Sequence, residues 1–375
     1  MELLPIPFGI SLVIPTFNNS GYLSKLLISF DRYYPARKIN EDEIELLVID
    51  DSNPKETVKI QSLCSQYKVD YLRCVGNVSK KRNLGAIQAS HEIILFTDSD
   101  CELTSSSIEE HLKLYKTNPE INAACGVVEF SGETNWVWGV VERTGYLGCF
   151  SFAKIMPYVQ WGVTANLSVR KSTLKEIGGF DETFLKTPGG EDVDLGIRLN
   201  KAGYCIMSCP NSIICHTKNT WNKLGRMIKR GFSYGRAHYH IIDKFADKVG
   251  REYPRRAGIF LLVTLLVIVK GILLHNWIQL LEIPFFIFLV LTIEAILVLG
   301  KEHFELKAIF KEVIAYNLDL SFEYGLIFES LSKLNTRGFW AKMIYSEKQL
   351  VYERNRKIIQ CWAFVIGFTI LILIG

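Results

Sequence analysis

The stretch Glu92-Ile93-Ile94-Leu95-Phe96-Thr97-Asp98-Ser99-Asp100 decides the fold, because it closes a short apolar run with two carboxylates. Residues two apart on a strand point to the same face, so Asp98 and Asp100 can converge on one site while Ser99 turns away. Asp-Xaa-Asp triplets also occur by chance, but ligands of open α/β sheets collect at the carboxyl ends of strands. Oxygen ligands favour Mg²⁺ or Mn²⁺. The stretch therefore predicts a divalent metal site at a strand end.

The region from about residue 10 to residue 215 alternates short β-branched runs with amphipathic stretches. This pattern is typical of βα units around a mostly parallel sheet, so the predicted fold class is α/β. The predicted strands are 11–15, 45–49, 69–74, the run ending at Asp98, 123–130, 164–170 and 205–215. The predicted helices between them are 20–33, 57–67, 79–90, 105–115, 172–178 and 192–203. An aromatic-rich segment, 136–161, lacks clear periodicity and is predicted to be an insertion.

Polar residues follow two other predicted strands and open the third helix. They lie in Pro15-Thr16-Phe17-Asn18, in Asp50-Asp51-Ser52, and in Lys81-Arg82-Asn83. Strand ends of one sheet edge can hold a nucleotide, since carboxylates accept from base or ribose groups and basic residues near a helix start face phosphates. The alternative for each residue alone is an Asx turn or a helix cap. The nucleotide-binding candidates are Pro15, Thr16, Asn18, Asp50, Asp51, Lys81, Arg82, Asn83, Asp98 and Ser99.

Acidic residues also follow a glycine-rich turn, in Pro188-Gly189-Gly190-Glu191-Asp192-Val193-Asp194-Leu195. At a helix start, Glu191 or Asp192 could serve as a general base, and the alternative is a helix cap. His216 ends the last predicted strand and is a candidate third metal ligand beside Asp98 and Asp100.

The C-terminal third contains three apolar stretches, 257–274, 280–299 and 358–374, each close to the ~20 residues that cross a bilayer. Lys270, Glu282 and Glu294 interrupt the first two, so buried helices of a soluble domain are the alternative. The domains we predict are a catalytic domain 1–220, a basic amphipathic linker 221–256, two transmembrane helices 257–299, cytoplasmic or interfacial helices 300–357, and a third span 358–375.

Basic residues set the predicted topology. Arg251, Arg255 and Arg256 precede the first span, the turn 275–276 has no Lys or Arg, and the connection 300–357 is basic again. Positive residues mark the cytoplasmic side. No export signal is expected before Ile10, because the preceding residues are few and lack a basic start. We therefore expect a multi-pass protein of the cell membrane whose N-terminal domain faces the cytoplasm.

The net charge and the cysteine spacing indicate which partners and which cellular compartment to expect. The net charge of +4 is modest and is better explained by anchoring beside a membrane lipid surface than by nucleic-acid binding. Nine cysteines without a close pair fit a reducing compartment. A zinc site of Cys205, Cys209, Cys215 and His216 is disfavoured, since the segment has no Cys-Xaa-Xaa-Cys pair.

Taken in order, these motifs resemble family 2 glycosyltransferases of the GT-A fold. The resemblance covers roughly residues 11–236 and consists of PTFN, DDS, KKRNLG, DSD, GVTAN, GGFDE, GGEDVDLGIRL and a late His. It implies that Asp50 and Asp51 contact the nucleoside, that Arg82 lies near the base or phosphates, and that Asp98 approaches the ribose. It further implies that Asp100 and His216 bind Mn²⁺ or Mg²⁺, that Asp192 is the catalytic base, and that Glu191 contacts the acceptor.

The resemblance implies an inverting transferase that moves one sugar from a nucleotide-diphosphate sugar to a hydroxyl of a lipid-linked or membrane-proximal glycan acceptor, in cell-surface polysaccharide assembly. The Gln-Xaa-Xaa-Arg-Trp signature of processive synthases is absent after His216, which favours single transfers. Two alternatives stay open: a polyprenyl-phosphate glycosyltransferase, and a catalytically silent membrane scaffold that binds nucleotide sugar. The replaced glycine in Asp50-Asp51-Ser52-Asn53 departs from the family pattern in the nucleoside loop.

Overall fold

The computed structural model describes residues 8–184, 189–251, 255–300, 305–344 and 358–370. Strands and helices alternate through the first two thirds of the chain, and helices dominate the remainder. The elements are β1 (Gly9–Thr16), α1 (Ser20–Tyr33), β2 (Lys38–Ile39), β3 (Asp42–Asp50), α2 (Pro54–Gln66), β4 (Asp70–Arg73), α3 (Val78–Gln88), β5 (Ile93–Phe96), β6 (Cys101–Leu103), α4 (Glu109–Thr117), β7 (Ala123–Ser131), α5 (Trp138–Val141), α6 (Phe152–Ile155), β8 (Tyr158–Val159), β9 (Leu167–Arg170), α7 (Lys171–Glu176), α8 (Glu191–Lys201), β10 (Ile206–Thr217), α9 (Leu224–Lys244), β11 (Val249–Arg251), α10 (Arg256–Leu273), α11 (Glu282–Leu299), α12 (Leu306–Ser332), β12 (Ala341–Met343) and α13 (Ile358–Ile370).

Strands β1 to β10 form one sheet in the order β2-β3-β1-β5-β9-β7-β10-β6, with β4 beside β3 and β8 beside β10. Strand β1 is parallel to both β3 and β5, as predicted for βα units. Strand β9 is antiparallel to its neighbours β5 and β7, so the sheet is mixed. The strand order reverses at β1, and the crevice outside its carboxyl end is where such sheets bind ligands.

Alternation along β1 explains the two apolar layers that cover the sheet. Ile10, Leu12 and Ile14 point to one side, where they pack with residues of α1. Val13 points to the other side and packs in a second cluster that includes Phe180. A strand buried on both faces reads as a nearly continuous apolar run, as residues 12–15 of β1 do.

The chain divides into two compact units. The first comprises Met1–Glu133 and Leu147–Thr220, and the second comprises Thr134–Tyr146 and Trp221–Gly375. The predicted boundary after residue 220 coincides with this division. The segment Thr134–Tyr146, which the sequence-based boundaries assign to the catalytic domain, belongs to the second unit.

The second unit contains two helices that are long and apolar enough to cross a membrane, Arg256–Leu273 and Trp277–Leu299. They agree with the first two predicted spans. The third predicted span coincides with the shorter apolar helix α13, and its last residues lie outside the described part of the chain. Residues 301–304 and 345–357 of the predicted interfacial region also lie outside it.

The predicted linker 221–256 folds mainly into α9, which packs along α12 through glycines. A Cβ added at Gly235 would lie 1.9 Å from the Phe322 carbonyl oxygen, and one at Gly325 would lie 2.0 Å from the Phe232 carbonyl oxygen. Small residues allow two helix backbones to approach this closely. The helix is therefore a packed part of the unit as well as a basic segment.

Two arginines used to predict the topology are buried. Arg255 Nε donates to the Gly338 carbonyl oxygen at 3.1 Å. Arg256 Nη1 lies 3.2 Å from a Glu294 carboxylate oxygen. Both guanidinium groups therefore bind protein acceptors, which stabilise their buried charge, and the topology drawn from these arginines stays a prediction.

Candidate active site

Strand pairing brings Asp100 and His216 together. β6 starts directly after Asp100 and pairs antiparallel with the end of β10, so that Cys101 lies opposite His216. The Thr217 N–H donates to the Asp100 carbonyl oxygen at 3.1 Å. His216 Nε2 then lies 3.3 Å from Asp100 Oδ1. The sheet register thus joins the DSD motif to the late histidine, residues that are far apart in the sequence.

The orientation of the His216 ring suits a divalent ion. Its Nδ1 lies 3.1 Å from the Thr217 carbonyl oxygen, which can only accept, so Nδ1 is the donor. In a neutral ring, Nε2 then presents its lone pair on the side of the Asp100 carboxylate. Two facing acceptors favour a cation, and a backbone carbonyl that fixes the imidazole tautomer is typical of metal-binding histidines. The residues present therefore fit the predicted metal.

Cys101 is the third member of this group, and sequence reasoning missed it. The ligand atoms of Asp100, Cys101 and His216 lie within 4.8 Å of one another. Burial raises the pKa of the Cys101 thiol well above its usual value. Mg²⁺ and Mn²⁺ prefer carboxylate and other hard ligands to sulfur, so Asp100 and His216 are the stronger donors for these ions. The only sequence signal was its position directly after Asp-Ser-Asp.

Arg82 is buried and joins two parts of the site. Its Nη2 donates to Asp98 Oδ1 at 3.1 Å, and its Nη1 donates to Glu191 Oε1 at 2.9 Å. The guanidinium also lies over the Phe180 ring, 5.5 Å from its centroid. Burial would lower the pKa of Arg82, but Asp98 and Glu191 raise it above its ordinary value. Asp98, predicted as a metal ligand, thus faces Arg82 and lies outside the group of Asp100, Cys101 and His216.

The two predicted catalytic acids open α8. Gly190 precedes the helix with a φ of 87°, a left-handed conformation that glycine adopts readily. Glu191 is held by Arg82 and by the Gly189 N–H, which donates to Oε2 at 2.7 Å. Burial, and next the neighbouring Glu191, raise the pKa of Asp192 to about 7. A carboxylate with such a pKa is suited to take a proton near neutral pH.

The predicted nucleoside carboxylates differ in exposure. Asp50 is fully buried and accepts from the Ser52 N–H, Thr57, Tyr71 and Arg73. Its carboxylate therefore stabilises the loop after β3. Asp51 is partly exposed and accepts from the Gly76 N–H at 3.2 Å. Of the two carboxylates, Asp51 is the one open to a ligand.

The loop after β1 is tied to its neighbours. Pro15 and Thr16 are buried at the end of β1. Lys81 Nζ donates to the Thr16 carbonyl oxygen at 2.9 Å, and burial lowers the pKa of this lysine. Asn18 has a φ of 50°, and its Oδ1 accepts from Asn53 at 2.9 Å and 2.7 Å. These contacts hold the polar loops at the sheet edge.

Two further predicted residues also bind the protein. Asn83 Nδ2 donates to the Phe180 carbonyl oxygen at 2.9 Å, and its Oδ1 accepts from the Phe180 N–H at 2.7 Å. The Ser99 hydroxyl accepts from Asn19 at 3.0 Å. Asn83 therefore secures the GGFDE segment, and Ser99 secures the loop between β5 and β6.

The asparagine of the GVTAN motif is buried in a polar network. Asn166 Nδ2 donates to the Val127 carbonyl oxygen at 3.0 Å, and Oδ1 lies 2.9 Å from His111 Nε2. Burial lowers the pKa of His111 to about 4, so this ring is neutral. The motif therefore stabilises the sheet behind the site.

Several known proteins resemble this chain in sequence. A relative in Methanococcus voltae is 24% identical over 287 residues, which cover 72% of this chain and 84% of the relative. Its name is dolichyl N-acetyl-alpha-D-glucosaminyl phosphate 3-beta-D-2,3-diacetamido-2,3-dideoxy-beta-D-glucuronosyltransferase. The O-antigen chain rhamnosyltransferase RfbN of Salmonella typhimurium is 25% identical and matches 56% of this chain and 67% of its own length. The chain spans 48% of a pre-mycofactocin glycosyltransferase of Mycobacterium tuberculosis, with 25% identity over 64% of this chain.

A solved structure, TarS of Staphylococcus aureus, aligns with 63% of this chain and 43% of its own at 17% identity and a TM-score of 0.42. The family model described as "Glycosyltransferase like family 2" matches residues 11–252, from β1 to the end of α9 and beyond. This match covers well over half of the chain and includes each residue of the candidate site. The chain therefore belongs to glycosyltransferase family 2.

Proposed function

We propose that the protein is a membrane-anchored, metal-dependent, inverting glycosyltransferase that moves a single sugar from a nucleotide-diphosphate sugar to an acceptor hydroxyl. The observation that carries this proposal is the approach of His216 Nε2 to Asp100 Oδ1 at 3.3 Å, on the sheet edge that also carries Asp98. Family membership supplies the reaction class, and this pair supplies a place for the ion that a diphosphate leaving group requires.

The part of the site proposed to bind the donor contains both acidic and basic side chains. Asp51 is the carboxylate able to accept from the nucleoside, and Asp98, 33% exposed, can accept from a ribose hydroxyl while Arg82 holds its other side. A bound Mn²⁺ or Mg²⁺ on Asp100 and His216 would neutralise the diphosphate as it leaves.

Asp192 is the base in this proposal. Its carboxylate takes the proton of the acceptor hydroxyl while that oxygen forms a bond to the anomeric carbon, and the bond from that carbon to the diphosphate oxygen breaks. Attack from the face opposite the leaving group inverts the configuration. Arg82 and Gly189 hold Glu191, the residue before the base, so that α8 starts in a fixed position.

The pKa of Asp192 bears on the acceptor. A phosphate oxygen is already ionised near neutral pH and needs no base, whereas an alcohol must lose its proton. A carboxylate with a pKa of about 7 therefore favours a sugar hydroxyl over a polyprenyl phosphate. The names of the dolichyl-phosphate-sugar and O-antigen relatives support a lipid-linked or polysaccharide acceptor.

The two apolar helices support a membrane anchor. We propose that the chain crosses the cell membrane more than once and that the catalytic unit faces the cytoplasm, where nucleotide sugars are made available. A lipid-linked acceptor would then meet the enzyme at a high effective concentration.

The test is nucleotide release and transfer by detergent-purified protein from UDP-, GDP- and dTDP-sugars, with Mn²⁺ and with a membrane lipid extract as acceptor source. We expect turnover with one donor, loss in Asp100→Ala and Asp192→Asn, and full activity in Asp31→Asn, since Asp31 is an exposed aspartate on α1. Nucleotide binding without turnover of any donor would favour the silent scaffold instead.

A further inference from the structure

Helix α12 exposes large apolar side chains on one side, in its first and last turns. The exposed residues lie 3, 4 or 18 residues apart, and each spacing is close to a whole number of helical turns, so they share one side of the helix. Leu306 is 82% exposed, Phe310 62%, Phe328 53% and Leu331 50%. We call this set of four residues the α12 stripe.

The acidic residues of α12 point the other way, into the second unit. Glu312 accepts from Arg143 at 3.0 Å. Glu323 Oε2 accepts from the Ala257 N–H at 2.9 Å, at the start of α10. Each of these glutamates is buried, and so is Glu329, which accepts from an arginine of α9. Three glutamates of α12 are thus inside while four large apolar side chains are outside, which is the reverse of the pattern expected where a helix faces water.

The helices that pack beside the α12 stripe indicate what covers it. α12 packs against both α10 and α11, the two helices of spanning length. The outer face of α10 is also apolar, with Leu262, Leu265 and Leu266 57–58% exposed. The stripe and the outer face of α10 therefore belong to the same unit, on helices that pack together. Exposed large apolar residues grouped in this way mark an interaction site.

α12 has too many charges to be a further span itself. It contains Lys307, Lys311, Glu312, Asp319, Glu323 and Glu329, and spans rarely tolerate more than isolated charges. Lys307 and Lys333 are exposed near its two ends, where long basic side chains can reach lipid headgroups. A helix with an apolar stripe and basic ends suits the boundary between headgroups and acyl chains.

We infer that the α12 stripe lies on the phospholipid bilayer, with α12 along the membrane surface and beside the spans. At 1.5 Å per residue the helix is ~40 Å long, and the contact of Glu323 with the Ala257 N–H places its middle at the start of α10, where a span begins. This inference rests on the membrane association in the proposed function and does not depend on transferase activity. It gives the second unit a lipid contact in addition to its spanning helices.

The experiment places single bimane-labelled cysteines on the stripe of the full-length protein: Phe310→Cys, Phe328→Cys and Leu331→Cys. The exposed native cysteines are replaced in this background as Cys205→Ser and Cys361→Ser. Each protein is reconstituted as one copy per nanodisc of phosphatidylcholine and phosphatidylglycerol, with or without bromine on the acyl chains. Leu265→Cys on α10 is the lipid-facing control, and Lys59→Cys on α2, whose side chain is 53% exposed, is the aqueous control.

We expect brominated lipid to quench the three stripe positions by at least about half as much as Leu265→Cys, and to leave Lys59→Cys unchanged. The substitutions are on exposed positions, and the thermal unfolding midpoint of each variant checks that it is folded. Quenching of Leu265→Cys without quenching of the stripe positions would overturn the inference. The α12 stripe would then be covered by a protein partner or by a second copy of this chain. Because the readout is lipid contact, loss of transferase activity does not imitate either result.

Discussion

Arg82 Nη1 donates to Glu191 Oε1 at 2.9 Å, which links residues 109 positions apart in the chain. Glu191 is adjacent to the predicted base, and the same guanidinium binds Asp98 on the donor side. One buried cation therefore connects the loop that would meet the ribose to the helix that carries the base. Its charge also opposes the effect of Glu191 on Asp192.

Arg82→Gln removes a charge that lowers the pKa of Asp192, so the base should then ionise only at higher pH. We expect kcat to fall by up to ~100-fold, because α8 loses its fixed position. The acidic limb of the pH profile of kcat/KM should move to higher pH. Arg82→Lys keeps the charge without the double contact, so its rate should fall with little shift of that limb. Identical pH profiles for the two variants would contradict the electrostatic link.

If Asp192 is the base as proposed, its pKa should set the pH dependence of the wild-type enzyme. The carboxylate form is lost as the pH falls through about 7, so kcat/KM should drop about tenfold per pH unit below that value and level off above it. Asp192→Asn should lower kcat by ~100- to ~10,000-fold and leave the Kd for the donor nearly unchanged. Calorimetry of donor binding provides the control, and a large loss of binding in this variant would argue against a base.

Asp100 and His216 should determine the affinity for Mn²⁺. After treatment with a chelator, Asp100→Ala and His216→Ala should each bind Mn²⁺ at least ~10-fold more weakly, as measured by electron paramagnetic resonance of the free ion. Cys101→Ala should change this affinity little, because sulfur is a poor ligand for Mn²⁺ compared with carboxylate and imidazole. Equal losses in all three variants would make the cysteine a ligand and change the donor set.

We expect substitution of Asp50 to affect the stability of the protein and substitution of Asp51 to affect nucleotide binding. Asp50→Asn alters a fully buried acceptor of several donors and should lower the free energy of unfolding by about 1–3 kcal/mol. Asp51→Asn should leave stability intact and raise the Kd for the nucleotide ~10-fold. Chemical denaturation and nucleotide titration of both variants test this division. A stable Asp50→Asn protein with weakened nucleotide binding would reverse the assignment.

The helix crossing in the second unit should tolerate no side chain at Gly235. Gly235→Leu would drive a side chain into the Phe322 backbone and should separate α9 from α12, with a large drop in the thermal unfolding midpoint. Gly225→Ala is the matched control, since no atom lies within 4 Å of a Cβ there and alanine favours helix. A normal midpoint for Gly235→Leu would mean that the two helices do not depend on this contact.

Much of the first unit could be predicted from local patterns. β-branched runs and the turns between them gave most strands, and the strand-end positions of Asp98 and Asp100 pointed to a site. The meeting of Asp100 with His216 could not be derived from local pattern, because it depends on the antiparallel register of β6 and β10. The family resemblance, rather than periodicity, suggested that pair.

The partners of buried charges could not be predicted from the local sequence. Asp50 and Asp51 look equivalent in the sequence, and only the contacts of Tyr71 and Arg73 show that the first is internal. Similarly, Arg255 and Arg256 resemble membrane-flanking charges until Gly338 and Glu294 are seen to accept from them. Charge is visible in a sequence, but its partner is a long-range property of the fold.

The second unit is built from two separate stretches of chain, and this bears on how such enzymes can recombine. Arg143 pairs with Glu312, and the Tyr146 hydroxyl donates to the Leu318 carbonyl oxygen at 2.7 Å. If two related genes recombined at residue 220, the hybrid protein would take Trp221–Gly375 from one parent and Thr134–Tyr146 from the other. A crossover near residue 133 would transfer both together. That crossover would also divide the first unit, which continues at Leu147–Thr220, so no single crossover exchanges the second unit and leaves the first unit whole.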